Sequence, residues 1–112
     1  MGQVNLVRIG QNYINDGGSF TLTTGILADE PVVGSSALAL VNGAVNSFAG
    51  AAALELPRGL RVNVVCPTLV KDSVEKYEGV FPGYDTVSMD RVVNGYIRSV
   101  ESKINGHIIR IY

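Results

Sequence analysis

Tryptophan is absent from the sequence, and cysteine and histidine occur once each, as Cys66 and His107. One cysteine excludes an internal disulfide, and one thiol with one imidazole excludes a Cys/His zinc set. Charge is scarce as well: 17% of the 112 residues are charged and the net charge is −1. No block of Lys and Arg stands out, which argues against a nucleic-acid surface, because phosphate binding needs clustered cations. The opening MGQVNLVRIG lacks a basic start followed by a long apolar run, so no signal peptide is expected. These absences predict a cytoplasmic protein, a single domain over residues 1–112, with no metal site and no nucleic-acid partner.

Apolar residues, by contrast, are plentiful. They make up 46% of a short chain, which implies that some apolar surface serves a partner. The stretch from Gly34 to Leu54 carries no charge and is long enough to span a bilayer. It is built, however, from Ala, Gly, Ser and Asn. Asn42, Asn46 and Ser47 are costly in lipid, so the expectation is a packed helix and no membrane span.

The apolar pattern alternates helix with strand. Val4 to Ile14 reads as a helix stopped by Asn15-Asp16-Gly17-Gly18, and Phe20 to Thr24 as a strand. Ser36 to Leu56 reads as a long helix, apolar nearly all round, that needs cover on two sides. Arg61 to Cys66 has the continuous apolar run of a buried parallel strand, ended by Pro67. A loop over Thr68 to Val87 follows, with a short helix near Asp72 to Glu78. Ser88 then caps a helix whose expected face is Met89, Val92, Val93, Tyr96, Ile97 and Val100. Asn105-Gly106 turns into a last strand, His107 to Tyr112. The fold class is therefore α/β: a three-stranded parallel sheet with flanking helices and right-handed connections, the C-terminal part of a Rossmann-like fold.

Three segments in that order resemble one family. GGSFTLTTG resembles the strand that carries the catalytic serine in short-chain dehydrogenases/reductases. AVNSFAGAAALELPRGLRVNVVCP resembles the family's long helix, turn and next strand, with Glu55-Leu56, Arg61-Val62-Asn63 and Pro67 on the family's Glu-Leu, Arg-Val-Asn and Pro-Gly positions. INGHIIRIY resembles its last strand. The resemblance implies a fold counterpart of the family's C-terminal half and NAD(P) as cofactor of the full-length family. It also implies that the glycine-rich pyrophosphate turn and the catalytic Asn lie upstream of Met1, Asn5 being too close to Gly17-Gly18 for that role. No cofactor is expected for this chain.

The same resemblance places the catalytic Tyr on Leu38 and the catalytic Lys on Asn42, and the serine on Thr24 or Gly25. Leucine has no proton to transfer and asparagine no charge to lower a neighbour's pKa. Cys66, Pro67 and Thr68 occupy the stretch near the family's nicotinamide, with Pro67-Thr68 where the family has Pro-Gly, while Cys66 itself, ending an apolar strand, reads as an inert buried thiol. Tyr77 and Tyr84 fall in the segment that covers substrate, whereas His107, Asp85, Asp90 and Glu101 read as ordinary strand and surface residues. Two functions follow as expectations. One is a degenerate homologue without reductase activity, acting as a homo-oligomeric binding or structural module. The other is an NAD(P)-dependent oxidoreductase whose other half is missing from this chain or supplied by another.

Overall fold

A computed structural model describes residues 2–73 and 79–112; Tyr77 and most of the short helix expected over 72–78 lie outside the described residues. Helices α1 (Gly2–Gly10), α2 (Ser36–Glu55) and α3 (Met89–Glu101) alternate with strands β1 (Ser19–Thr23), β2 (Arg61–Pro67) and β5 (Ile108–Ile111). The three strands form a parallel sheet in the order β1-β2-β5, with Ser19 opposite Arg61 and Val64 opposite Ile108. Two short strands, β3 (Leu69–Val70) and β4 (Thr86–Val87), pair in parallel within the segment read as loop. Helix α1 stops at Gly10, four residues before the expected end. Gly10 lies against the Phe20 ring, where a Cβ would come within 3.0 Å of Cε1.

Strand β2 is central, and Val62 to Cys66 are all buried. Its alternate residues face two separate cores. Val62 and Val64 join Val7 of α1, Phe20 and Leu22 of β1, and Val45, Ala49 and Ala52 of α2. Val65 joins Val87, Val92, Ile109 and Ile111 on the other face. Helices α2 and α3 thus cover opposite faces, although the chain moves across the sheet in one direction from β1 to β2 to β5. Two crossovers running the same way over opposite faces have opposite hands, so the expected pair of right-handed connections is not what forms.

Helix α3 is also rotated from its expected face. Val92, Gly95 and Ser99 are buried, whereas Met89, Val93, Ile97 and Val100 are about half exposed. Small residues decide this orientation. A Cβ on Gly95 would stand 2.6 Å from Ile111 Cδ1, so glycine lets the helix settle onto the sheet. Ser99 Oγ lies 2.7 Å from Thr21 Oγ1, a hydrogen bond between helix and sheet. Arg61 fixes the end of α3 by donating to the carbonyls of Ser99 (2.8 Å), Val100 (2.9 Å) and Ile104 (3.0 Å).

Helix α2 is long and apolar enough to cross a membrane. One side of it, Val45, Asn46, Ala49 and Ala52, is buried against the sheet. Leu40, Val41 and Leu54 remain exposed, as do Leu6, Ile9 and Tyr13 in and just after α1. Among the described residues no strand pairs with the outer edge of β1. There the Gln3 side chain stands in for one, accepting from Thr23 N at 2.8 Å and donating to Thr23 O at 2.9 Å.

Candidate functional site

Strands β1 and β2 run parallel and end side by side, with Thr23 opposite Val65, and the first two turns of α2 rise beside their carboxyl ends. In an open α/β sheet this is where ligands bind. A cavity of about 290 Å³ lies there. Gly25 and Ile26 after β1, Leu38 and Asn42 of α2, Pro67 at the end of β2, and Thr68 and Leu69 beyond it line it, with Val32 and Val33 on one side and Val80 and Phe81 on another.

The two candidate serine positions differ. Thr24 is buried, and its hydroxyl donates to Asn46 Oδ1 at 2.8 Å between β1 and α2. Gly25, which has no hydroxyl, lines the cavity. Leu38 and Asn42 stand four residues apart on one helical face and both reach the cavity. The Asn42 amide has no hydrogen-bond partner among the described residues. Of the three residues near the expected nicotinamide, Pro67 and Thr68 line the cavity and Cys66 does not. Cys66 is fully buried with Sγ 3.5 Å from the Tyr112 hydroxyl. Thr68 donates to the Asp85 carbonyl at 3.2 Å.

The segment over the cavity is tied down from outside. Phe81 and Tyr84 pack edge to face with centroids 5.4 Å apart at 77°. The Tyr84 hydroxyl donates to the Glu30 carbonyl at 2.7 Å, so its polar end is committed to the loop after β1. That loop is anchored in turn to β5. Arg110 Nε donates to Asp29 Oδ2 at 2.5 Å, and the Tyr112 hydroxyl donates to the same oxygen. The hydrogen bonds from Arg110 first, and then from Tyr112, hold the Asp29 carboxyl below the usual carboxylate range. Burial, followed by the Asp29 bond, pushes the Tyr112 phenol above its ordinary value. A second cavity of about 300 Å³ adjoins this anchor, between Glu30, Thr68, Tyr84, Asp85 and Tyr112.

Sequence reasoning missed the valine walls and Phe81, because a loop residue's approach to a distant helix leaves no periodic signal. It also missed Ser35, whose hydroxyl accepts from Val32 N (2.9 Å) and donates to Val32 O (2.6 Å), shaping the cavity rim. His107, Asp85, Asp90 and Glu101 are all exposed. No group of three or more His, Cys, Asp or Glu is placed to hold a metal ion among the described residues.

Among the described residues no strand leads into a glycine-rich turn of the kind that holds the pyrophosphate of NAD(P). A dinucleotide site needs a strand leading into a glycine-rich turn that opens a helix, so that backbone amides face the pyrophosphate. Here β1 leads through Thr24-Gly25 into a single 3-10 turn, Ile26–Ala28, and no Lys or Arg among the described residues lines the cavity.

Comparison with protein-family models gives no match, and neither does comparison with curated proteins. Solved structures do match. The protein lin1944 from Listeria innocua is 42% identical, with a TM-score of 0.96 over 99% of this chain and 56% of its own. A small-chain dehydrogenase is 25% identical, with a TM-score of 0.79 over 98% of this chain and 51% of its own. A small-chain dehydrogenase in complex with NADPH shares the fold at 23% identity, with a TM-score of 0.81 over 98% of this chain and 56% of its own. The chain spans about half the length of the structures it matches. In strand order, fold and sequence, it is a counterpart of the C-terminal half of a short-chain dehydrogenase/reductase.

Proposed function

We propose that the chain is a cytoplasmic, non-catalytic homologue of the short-chain dehydrogenases/reductases that works as a homo-oligomeric binding module. The observation that carries this is the pair Leu38 and Asn42, side by side at the cavity in the positions that resemble the family's Tyr and Lys. A leucine transfers no proton, and an asparagine amide neither titrates near neutrality nor lowers a neighbour's pKa, so acid–base catalysis has no agent there. Self-association is supported by Leu40, Val41 and Leu54 on α2 and by Leu6 and Ile9 on α1, all exposed. A two-fold axis that brings two such surfaces together removes them from water. Packing of α2 against the sheet supports a helix of a protein core rather than a membrane span. Static light scattering of the purified chain at micromolar concentration tests the assembly: a dimer or larger is expected, and a folded monomer contradicts it.

A specific observation favours a second reading, an NAD(P)-dependent oxidoreductase completed by another polypeptide. Among the described residues the outer edge of β1 is covered only at Thr23, by a side-chain amide, and the half-exposed stripe Met89, Val93, Ile97 and Val100 runs along α3 on the Tyr96 side; Tyr96 reaches Thr23 across 2.5 Å. A neighbouring strand with its own helix would cover both. DNA upstream of the Met1 codon that encodes a glycine-rich strand–turn–helix would favour this reading over the first.

A further inference from the structure

At the cavity beside Leu38, most polar side-chain groups of the described residues are already committed. Ser35 exchanges both its hydrogen bonds with Val32, and Thr68 donates to the Asp85 carbonyl. Asn42 alone brings a side-chain donor and acceptor with no partner among the described residues. Among the described residues no Asp, Glu, Lys, Arg or His lines the space, and their remaining side chains there are apolar. A charged ligand would lose its hydration without meeting a counter-charge, which disfavours it strongly. The volume, about 290 Å³, lies at the small end of ligand cavities. The Asn42 amide presents a C=O and an N–H in one plane, so a second amide satisfies both at once, whereas a ketone leaves the acceptor unused.

We propose that this cavity takes a compact, uncharged, mostly apolar molecule bearing one carboxamide or lactam group, which pairs with the side-chain amide of Asn42. The proposal rests on the binding-module reading and names the class of ligand. The walls supply affinity without direction and Asn42 supplies orientation, the usual division in small-molecule sites.

Titration of the full chain with cyclohexanecarboxamide, followed by amide chemical shifts in NMR, tests it. Saturable shifts are expected at Gly34, Asn42, Thr68 and Leu69. Cyclohexanecarboxylate, the same shape with a charge, should bind at least about tenfold more weakly. Asn42→Leu removes a side chain that bonds no described residue, so the fold should persist while carboxamide binding weakens about tenfold. Leu38→Trp, at an exposed position, fills the space and should abolish the shifts in an otherwise unchanged spectrum. Equal binding of carboxylate and carboxamide, no effect of Asn42→Leu, or no saturable shifts at the cavity each overturns the proposal. None of these results depends on NADPH turnover or on oligomer size, by which the binding-module reading itself stands or falls.

Discussion

The Thr24 hydroxyl donates to Asn46 Oδ1 across 2.8 Å in the buried layer between β1 and α2. This bond makes Thr24 a brace between strand and helix rather than a group facing the cavity, which Gly25 lines instead. Replacing Thr24 by Val keeps the shape and strands the Asn46 carbonyl. A loss of about 1–3 kcal/mol is expected in urea unfolding, the cost of an unsatisfied buried polar group. Thr24→Val with Asn46→Leu should recover part of it, because both partners are then apolar. An unchanged urea midpoint for Thr24→Val would remove the brace from the account.

Gly95 gives an equally local test. An added Cβ meets Ile111 Cδ1 at 2.6 Å and Val65 Cγ1 at 3.3 Å, both in the second core. Gly95→Ala should therefore destabilise the chain by about 1–3 kcal/mol through overpacking, despite the better helix propensity of alanine. Combining it with Ile111→Val should relieve much of the loss. A stabilised Gly95→Ala protein would mean that α3 does not lie this close to the sheet.

The helices and the three main strands were legible because their apolar periods are strong: the run Val62 to Cys66 reads as a central strand and is buried throughout. The seating of α3 was not. Hydrophobicity points to Met89, Val93 and Ile97, whereas the helix turns Gly95 and Ser99 inward, since contact distance and the Thr21 hydrogen bond outweigh side-chain polarity. The pairing of β3 with β4 joins residues far apart in sequence and has no local signature. At the site, the family resemblance led to Leu38, Asn42, Pro67 and Thr68, and the cavity gathers all four. It left Thr24 and Gly25 undivided, because a one-residue difference in register exchanges a hydroxyl aimed into the core for a backbone position at the rim. Cys66, expected as an inert buried thiol at the end of an apolar strand, is fully buried with its sulfur beside the Tyr112 hydroxyl and does not line the cavity.

The anchor at Asp29 makes the loop beside the cavity acid-sensitive. Its carboxyl is held below the usual range by Arg110 and Tyr112, so the folded state binds its proton less readily than the unfolded chain. The stabilisation is present above the unfolded value, about pH 4, and is lost as pH falls toward the lowered folded value. In thermal melts, wild type should exceed Asp29→Asn by a constant margin near neutrality, and the gap should close below about pH 4. A margin that vanishes already between pH 7 and 6, or one that persists into strong acid, would contradict the assignment.

Two substitutions on α2 separate assembly from folding. Leu40 is 72% exposed, whereas Phe48 packs against the buried cluster around Val45 and Ala52. Leu40→Asp should give a folded monomer in light scattering, with an unchanged far-UV spectrum. Phe48→Asp should unfold the chain, since a buried unpaired charge costs several kcal/mol. An oligomer of wild-type size in Leu40→Asp would move the association surface elsewhere.

The proposal that Leu38 and Asn42 leave the site without acid–base chemistry is tested most directly by NADPH oxidation. The purified chain at high concentration is given NADPH with a range of aldehydes and ketones, and absorbance at 340 nm is followed. General acid catalysis is worth roughly 10²–10⁴ in rate, so with Leu38 and Asn42 in place of the acid and its lysine the proposed reading expects the background rate unchanged. The same is expected of Leu38→Tyr with Asn42→Lys. Substrate-dependent NADPH consumption above background by the wild-type chain would contradict the account.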